Sequence, residues 1–132
     1  MVKDYVGAII QRNSDGKFLL QLRDDNVNIS NPNKWGIFGG GIEKGETPLK
    51  ALRRELWEEL RLKFNGNKLK LLKKANFHGK TNYIYFISLP ERDLFKIKLH
   101  EGQRFDYFSR WNIVFGRRVL FSVRLMFLFL IV

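Results

Sequence analysis

Leucines recur at spacings of 3, 4 and 4 in one short stretch: Leu49, Leu52, Leu56 and Leu60. That period fits one face of an α-helix and fits no strand. Thr47 is a suitable N-cap, and Pro48 suits the first helical position, where its missing N–H costs nothing. Asn65-Gly66 marks a stop. A helix with a single apolar stripe must be covered by a second layer.

The flanking sequence supplies one. "YVGAII" and "FLLQLR" are apolar runs on either side of Asp15-Gly16 and read as a β-hairpin. A polar loop, "DDNVNISNPNK", leads to the short strand candidate "WGIF" and then to a glycine run. Beyond the helix, "KLKLLKKANFHG", "NYIYFISL" and "RFDYFS" read as strands, with a turn at Gly79–Asn82 between the first two. The tail "VLFSVRLMFLFLIV" (119–132) is apolar at twelve of fourteen positions. A spanning helix needs about 20 apolar residues. The tail is therefore expected to be a helix, ordered and largely buried in the core or in a subunit contact. At 132 residues the chain is expected to be one domain, 1–132, an α/β sandwich around a mixed sheet.

Composition narrows the chemistry. There is no cysteine, so a metal would have to be held by oxygen ligands or histidine, and the wide separation of His78 and His100 argues against a zinc site. The net charge of +11 favours anionic small molecules. The basic residues are scattered, and "KLKLLKK" reads as a solvated strand face, so no stable nucleic-acid partner is expected. Neither a signal peptide nor a transmembrane segment is visible, which implies a cytoplasmic protein. A homodimer is left open.

Against that basic background, five of the thirteen acidic residues lie between Gly39 and Leu60. Glu55, Glu58 and Glu59 share one edge of the helix, beside the leucine stripe. The ordinary reading is a solvated face, with Arg54 pairing with Glu58 and Glu59 with Lys63. However, Glu55 and Glu59 are a like-charge i,i+4 pair, and clustered carboxylates raise one another's pKa unless a cation is present. Mg²⁺ resolves that conflict, because it takes a few carboxylates and completes its shell with water and phosphate oxygens.

The segment closely resembles the Nudix box, G-x5-E-x7-R-E-U-x-E-E-x-G-U with U apolar. Gly40, Glu46, Arg54-Glu55-Leu56, Glu58-Glu59 and Leu62 stand at the specified positions. One position departs: Arg61 replaces a glycine expected in a left-handed turn, at about 1–2 kcal/mol, unless the helix runs on to Gly66. The resemblance implies an α/β/α sandwich that hydrolyses a pyrophosphate linkage in a nucleotide derivative with Mg²⁺ or Mn²⁺. By the same analogy Glu55, Glu58 and Glu59 are metal ligands, joined by the Gly39 carbonyl. Arg54 orients Glu55, and Glu46 fixes the loop. The opening hairpin is similar to that of MutT-type members and makes Arg23 a candidate for a substrate phosphate. Gly40 and Trp35 are further substrate-contact candidates. "HEGQ" (100–103) matches the loop that carries an additional metal-binding and catalytic glutamate, here Glu101.

Gly40 and Gly45 also have P-loop spacing, but Glu46-Thr47 stands where Lys-Ser/Thr would hold phosphate. The remaining alternatives are a nucleotide-sugar hydrolase and a basic nucleotide- or RNA-binding protein without turnover. Small size and the "EGQ" loop lean towards a nucleoside triphosphate, including oxidised ones, cleaved to monophosphate and pyrophosphate. Trp35, Phe77, Tyr83 and Tyr85 are the aromatics available to stack on a base.

Overall fold

The computed structural model describes residues 3–130. Seven strands form one mixed sheet: β1 (Tyr5–Arg12), β2 (Phe18–Leu22), β3 (Trp35–Gly36), β4 (Phe38–Gly41), β5 (Lys70–Phe77), β6 (Lys80–Leu89) and β7 (Arg104–Phe108). The main path runs β3-β2-β1-β6-β5, while β4 pairs with β1 and β7 with β2. Only β1 and β6 are parallel. Four helices accompany the sheet: α1 (Pro48–Leu60), α2 (Glu91–Leu94), α3 (Arg110–Phe115) and α4 (Phe121–Phe129). None of the described helices is long and apolar enough to cross a membrane.

Side-chain alternation along β1 assigns the two layers. Val6, Ala8 and Ile10 join Leu52, Leu56 and Leu60 of α1 in one core. Ile9 joins Val123 and Phe127 of α4 in the other. Because both faces are covered, "YVGAII" is an almost continuous apolar run. The hairpins form where turn chemistry places them, though the second turns at His78 and Gly79, both with positive φ, one residue before the expected position. "WGIF" is split into β3 and β4 around Ile37.

Within this chain the apolar tail is covered only in part. A helix does form, with Val119, Val123 and Phe127 buried, but Phe121, Leu125, Leu128 and Phe129 are exposed. A helix laid on one side of a sheet buries only the arc that faces it. Residues 131 and 132 lie outside the described range.

Helix α1 starts as the sequence predicts, with the Thr47 side chain accepting from the Lys50 N–H at 3.2 Å. It ends at Leu60, not at Gly66, because Arg61 takes the left-handed conformation (φ 54°, ψ 34°). The Arg61 guanidinium turns back to donate to the Trp57 and Glu58 carbonyls, satisfying acceptors that a helix end otherwise leaves open. These bonds offset the backbone cost. Arg61→Gly is therefore expected to change unfolding free energy by less than about 1 kcal/mol in urea titration, relief of strain being cancelled by lost caps and a freer unfolded chain.

Candidate active site

The three box glutamates are graded by their angle from the leucine stripe. At 3.6 residues per turn, Glu59, Glu55 and Glu58 stand about 60°, 100° and 160° from Leu56. Their exposure follows: Glu59 is 2% exposed, while the Glu55 and Glu58 side chains are 15% and 49% exposed. One helix thus offers a buried, a half-buried and a solvated carboxylate in a row.

Arg54 holds the outer part of this row together. Its guanidinium donates to both oxygens of Glu46 at 2.9 Å, to Glu55 Oε1 at 2.9 Å and to the Gly41 carbonyl at 3.0 Å. Glu58 Oε2 is 3.5 Å away. Glu46 also accepts from the Glu43 N–H, which ties the loop before α1 to the helix. The Arg54 fork, helped by that N–H, holds the Glu46 carboxyl down to about 2. Lysine cannot reproduce a planar fork. Arg54→Lys should lower kcat by about 10–100-fold, the usual scale for a residue that orients a ligand, with little change in the circular-dichroism melt.

Glu59 is oriented by two groups that sequence reading did not pair with it. Gln21, buried in β2, donates to Glu59 Oε2 at 3.1 Å. The Gly39 N–H donates to Oε1 at 3.2 Å, a contact separate from the metal contact expected of the Gly39 carbonyl. The signal for Gln21 was available: it is the one polar side chain inside "FLLQL". Tyr5 was also missed. Its hydroxyl lies over Gly7 and Gly39, and its pKa is raised by burial and then by Glu59 and Glu55. The glycines permit this crowding. A Cβ at Gly40 would fall on the Glu55 carboxylate, and one at Gly39 on the β1 backbone at Val6 and Gly7. Gly40 is thus where the Glu55 carboxylate packs against β4.

Glu101 is carried to the same place by its loop. His100 N–H donates to the Glu59 carbonyl at 2.8 Å, and Lys98 N–H to the Leu60 carbonyl at 2.9 Å. On the other side, Gln103 binds Leu22 and Arg23 carbonyls and the Asn33 side chain. Gly102, at φ +81°, makes the turn between these anchors. The loop is stapled to the end of α1 and to β2. Burial, then the charges of Glu55 and Glu101, push Glu59 up to about 8; Glu55 is also raised, chiefly by burial.

Beside this cluster lies a cavity of about 490 Å³, open between the sheet and α4. Ile37, Ile84, Val123 and Met126 give it apolar walls, Asn31, Asn76 and Asn82 contribute amides, and Arg23, Lys73 and Lys80 are its cations. It has no acidic lining residue. Arg23 is steadied by a bond from Nε to the Ser30 carbonyl. Tyr5 lines the cavity and also feels Glu59, which links cavity and cluster. Trp35 does not line it: the ring is buried against Phe108 in the α4-side core, with centroids 4.8 Å apart. Tyr83 and Tyr85 pack against the α1-side core, so Phe77 is the only one of the four stacking candidates in the cavity wall.

The donor set suits a hard divalent cation: carboxylates without thiols, and a Glu59 whose proton affinity is raised by burial and then by neighbouring negative charge. Even so, among the described residues no three acidic or imidazole groups converge on one point. Both Glu59 oxygens face Gln21 and Gly39, and Glu58 leans towards Arg54.

A sheet covered on both faces, with one helix laying graded carboxylates on a glycine strand, defines an α/β sandwich with an acidic cluster at one helix edge. Residues 1–113 match the NUDIX domain family, and the chain belongs to that family. Among solved structures, it resembles a MutT protein from Methanosarcina mazei (22% identity, TM-score 0.73, covering 95% of this chain and 89% of that one). A MutT NUDIX hydrolase from Burkholderia pseudomallei (18%, 0.74, 95% of each) and an Ap4A hydrolase from C. elegans (20%, 0.67, 96% and 93%) share the fold. Curated relatives match over shorter stretches. An RNA pyrophosphohydrolase of Roseobacter denitrificans is 43% identical over 54 residues, and a nucleoside triphosphatase, NudI, of Salmonella arizonae is 47% identical over 47. These matches cover 41% and 36% of this chain, and only 31% and 33% of the relatives.

Proposed function

We propose that the protein hydrolyses a pyrophosphate linkage in a nucleoside triphosphate, releasing monophosphate and pyrophosphate. The observation that carries this reading is the buried Glu59, set between Glu55 and Glu101 and joined through Tyr5 to an acid-free cavity of nucleoside size. The names of the partial relatives are consistent with it. The apolar walls seat the base, and the asparagine amides meet its edge. Arg23 receives a phosphate at the end nearest Tyr5.

Glu55, Glu58, Glu59 and Glu101 would hold Mg²⁺ or Mn²⁺. When bound, such an ion supplies charge neutralisation at phosphate oxygens and a more acidic water. The chain's own residues do the rest. Arg54 fixes the Glu55 carboxylate, while Gln21 and the Gly39 N–H fix Glu59. Glu101 approaches α1 on its own loop and takes the proton from the attacking water, whose oxygen bonds to a phosphorus of the bridge as the P–O bond breaks and its electron pair leaves with the other product, monophosphate or pyrophosphate.

Glu101→Gln is accordingly expected to lower kcat about 10²-fold or more, with KM changed less. Unchanged kcat at saturating Mg²⁺ would make Glu101 an ordinary loop residue. The function itself is tested by product analysis over nucleoside triphosphates, nucleotide sugars and dinucleoside polyphosphates, with Mg²⁺ and with chelator. Metal-dependent pyrophosphate release from triphosphates is expected. Nucleotide binding with no product from any of them would identify a binding protein.

A further inference from the structure

Beyond the catalytic region, the chain changes character after Asp106. From Tyr107 to Val132 there is no acidic residue, while there are four arginines and many aromatics. Eleven large apolar side chains are exposed among the described residues, and six of them lie in this part: Trp111, Phe115, Phe121, Leu125, Leu128 and Phe129. The four on α4 fall within an arc of about 100°, opposite the buried Val123 and Phe127. Trp111 and Phe115 stack on each other on α3, with centroids 6.0 Å apart.

The two helices are locked as a pair. Arg110 at the start of α3 donates to the Phe127 and Leu128 carbonyls at the end of α4. Arg124 of α4 donates to the Val114 carbonyl at the end of α3. Each helix end is thereby capped by a cation from its neighbour. The apolar face is held on a rigid unit, and Arg117 and Arg118 are exposed in the connection between the helices.

We propose that this face docks onto an anionic lipid surface, with the rings and leucines entering the interface and Arg117 and Arg118 meeting headgroups. Exposed aromatics and aliphatics beside arginine, without any carboxylate, are the features of an interfacial helix. Charge argues against a second copy: a copy of the same face offers no carboxylate to answer Arg117 and Arg118. A nucleic acid would want a cationic groove beside open ring faces. Here α4 presents Leu125 and Leu128 beside its two phenylalanines, and among the described residues no cationic groove runs along the face.

The test is co-sedimentation of the full chain with vesicles of phosphatidylcholine alone and of phosphatidylcholine with phosphatidylglycerol. Binding to the anionic vesicles only, weakened by salt, is expected. Phe121→Ser with Phe129→Ser should lower the partition coefficient at least tenfold while leaving the melt and basal hydrolysis unchanged. Arg117→Gln and Arg118→Gln should each lower it about fivefold. Equal binding to neutral vesicles, or none at low salt by a folded protein, overturns the proposal. It is also overturned if the double serine variant abolishes a dimer in light scattering, or binding to a labelled oligonucleotide, while vesicles are never bound.

Discussion

Glutamine at position 59 is expected to reduce turnover by about 10³-fold while making the metal-free protein more stable at pH 8. In the folded chain Glu59 is pushed up to about 8 from an ordinary 4.5 by burial and by Glu55 and Glu101. Between those values the folded state binds a proton that the unfolded state has lost. Stability from this group is therefore complete below pH 4.5 and is lost as pH rises towards 8. Glutamine has no proton to lose, and a flip of the Gln21 amide lets it keep both contacts. At about 1.4 kcal/mol per pKa unit, the gain at pH 8 should be a few kcal/mol and should vanish near pH 4. Chemical denaturation of both proteins in chelator at the two pH values reads this directly. A metal-free variant less stable than wild type at pH 8 would mean that Glu59 holds the fold together, not the chemistry.

Cutting the chain after Arg118 should unfold or aggregate the domain. The cut removes Val119, Val123 and Phe127 from the α4-side core and uncovers Phe18, whose ring meets Phe127 edge-on at 4.7 Å. It also takes away the Leu120 N–H that donates to the Trp35 carbonyl beside β3. Phe127→Ala alone is expected to cost about 3–5 kcal/mol, a large part of the stability of an ordinary domain. A truncated protein with an unchanged melting temperature and normal activity would show that α4 is dispensable. The Phe121→Ser and Phe129→Ser changes are the control, because those side chains already face solvent.

These outcomes separate two kinds of information. Local chemistry was legible in the residues. The period of Leu49, Leu52, Leu56 and Leu60, the Thr47-Pro48 start and the Asp15-Gly16 turn each act over a few residues, and each forms where the sequence places it. The spacing of Glu55, Glu58 and Glu59 even fixes their order of burial, because angle along one helix is a local property. Gln21 illustrates the limit. It is visible as a polar residue in an apolar strand, but nothing nearby in sequence names Glu59, 38 residues away, as its partner.

What the amino-acid sequence alone determined is the family, the carboxylate helix and the strands that cover it. Only the tertiary structure decided which groups meet. It placed Tyr5 and Gln21 beside Glu59, pinned the Glu101 loop to the end of α1, and moved Trp35 from a stacking candidate into the core. It also decided which side of the apolar tail is covered. Hydrophobicity says that Phe121 and Phe127 both favour burial, but a helix has two sides and the sheet offers one.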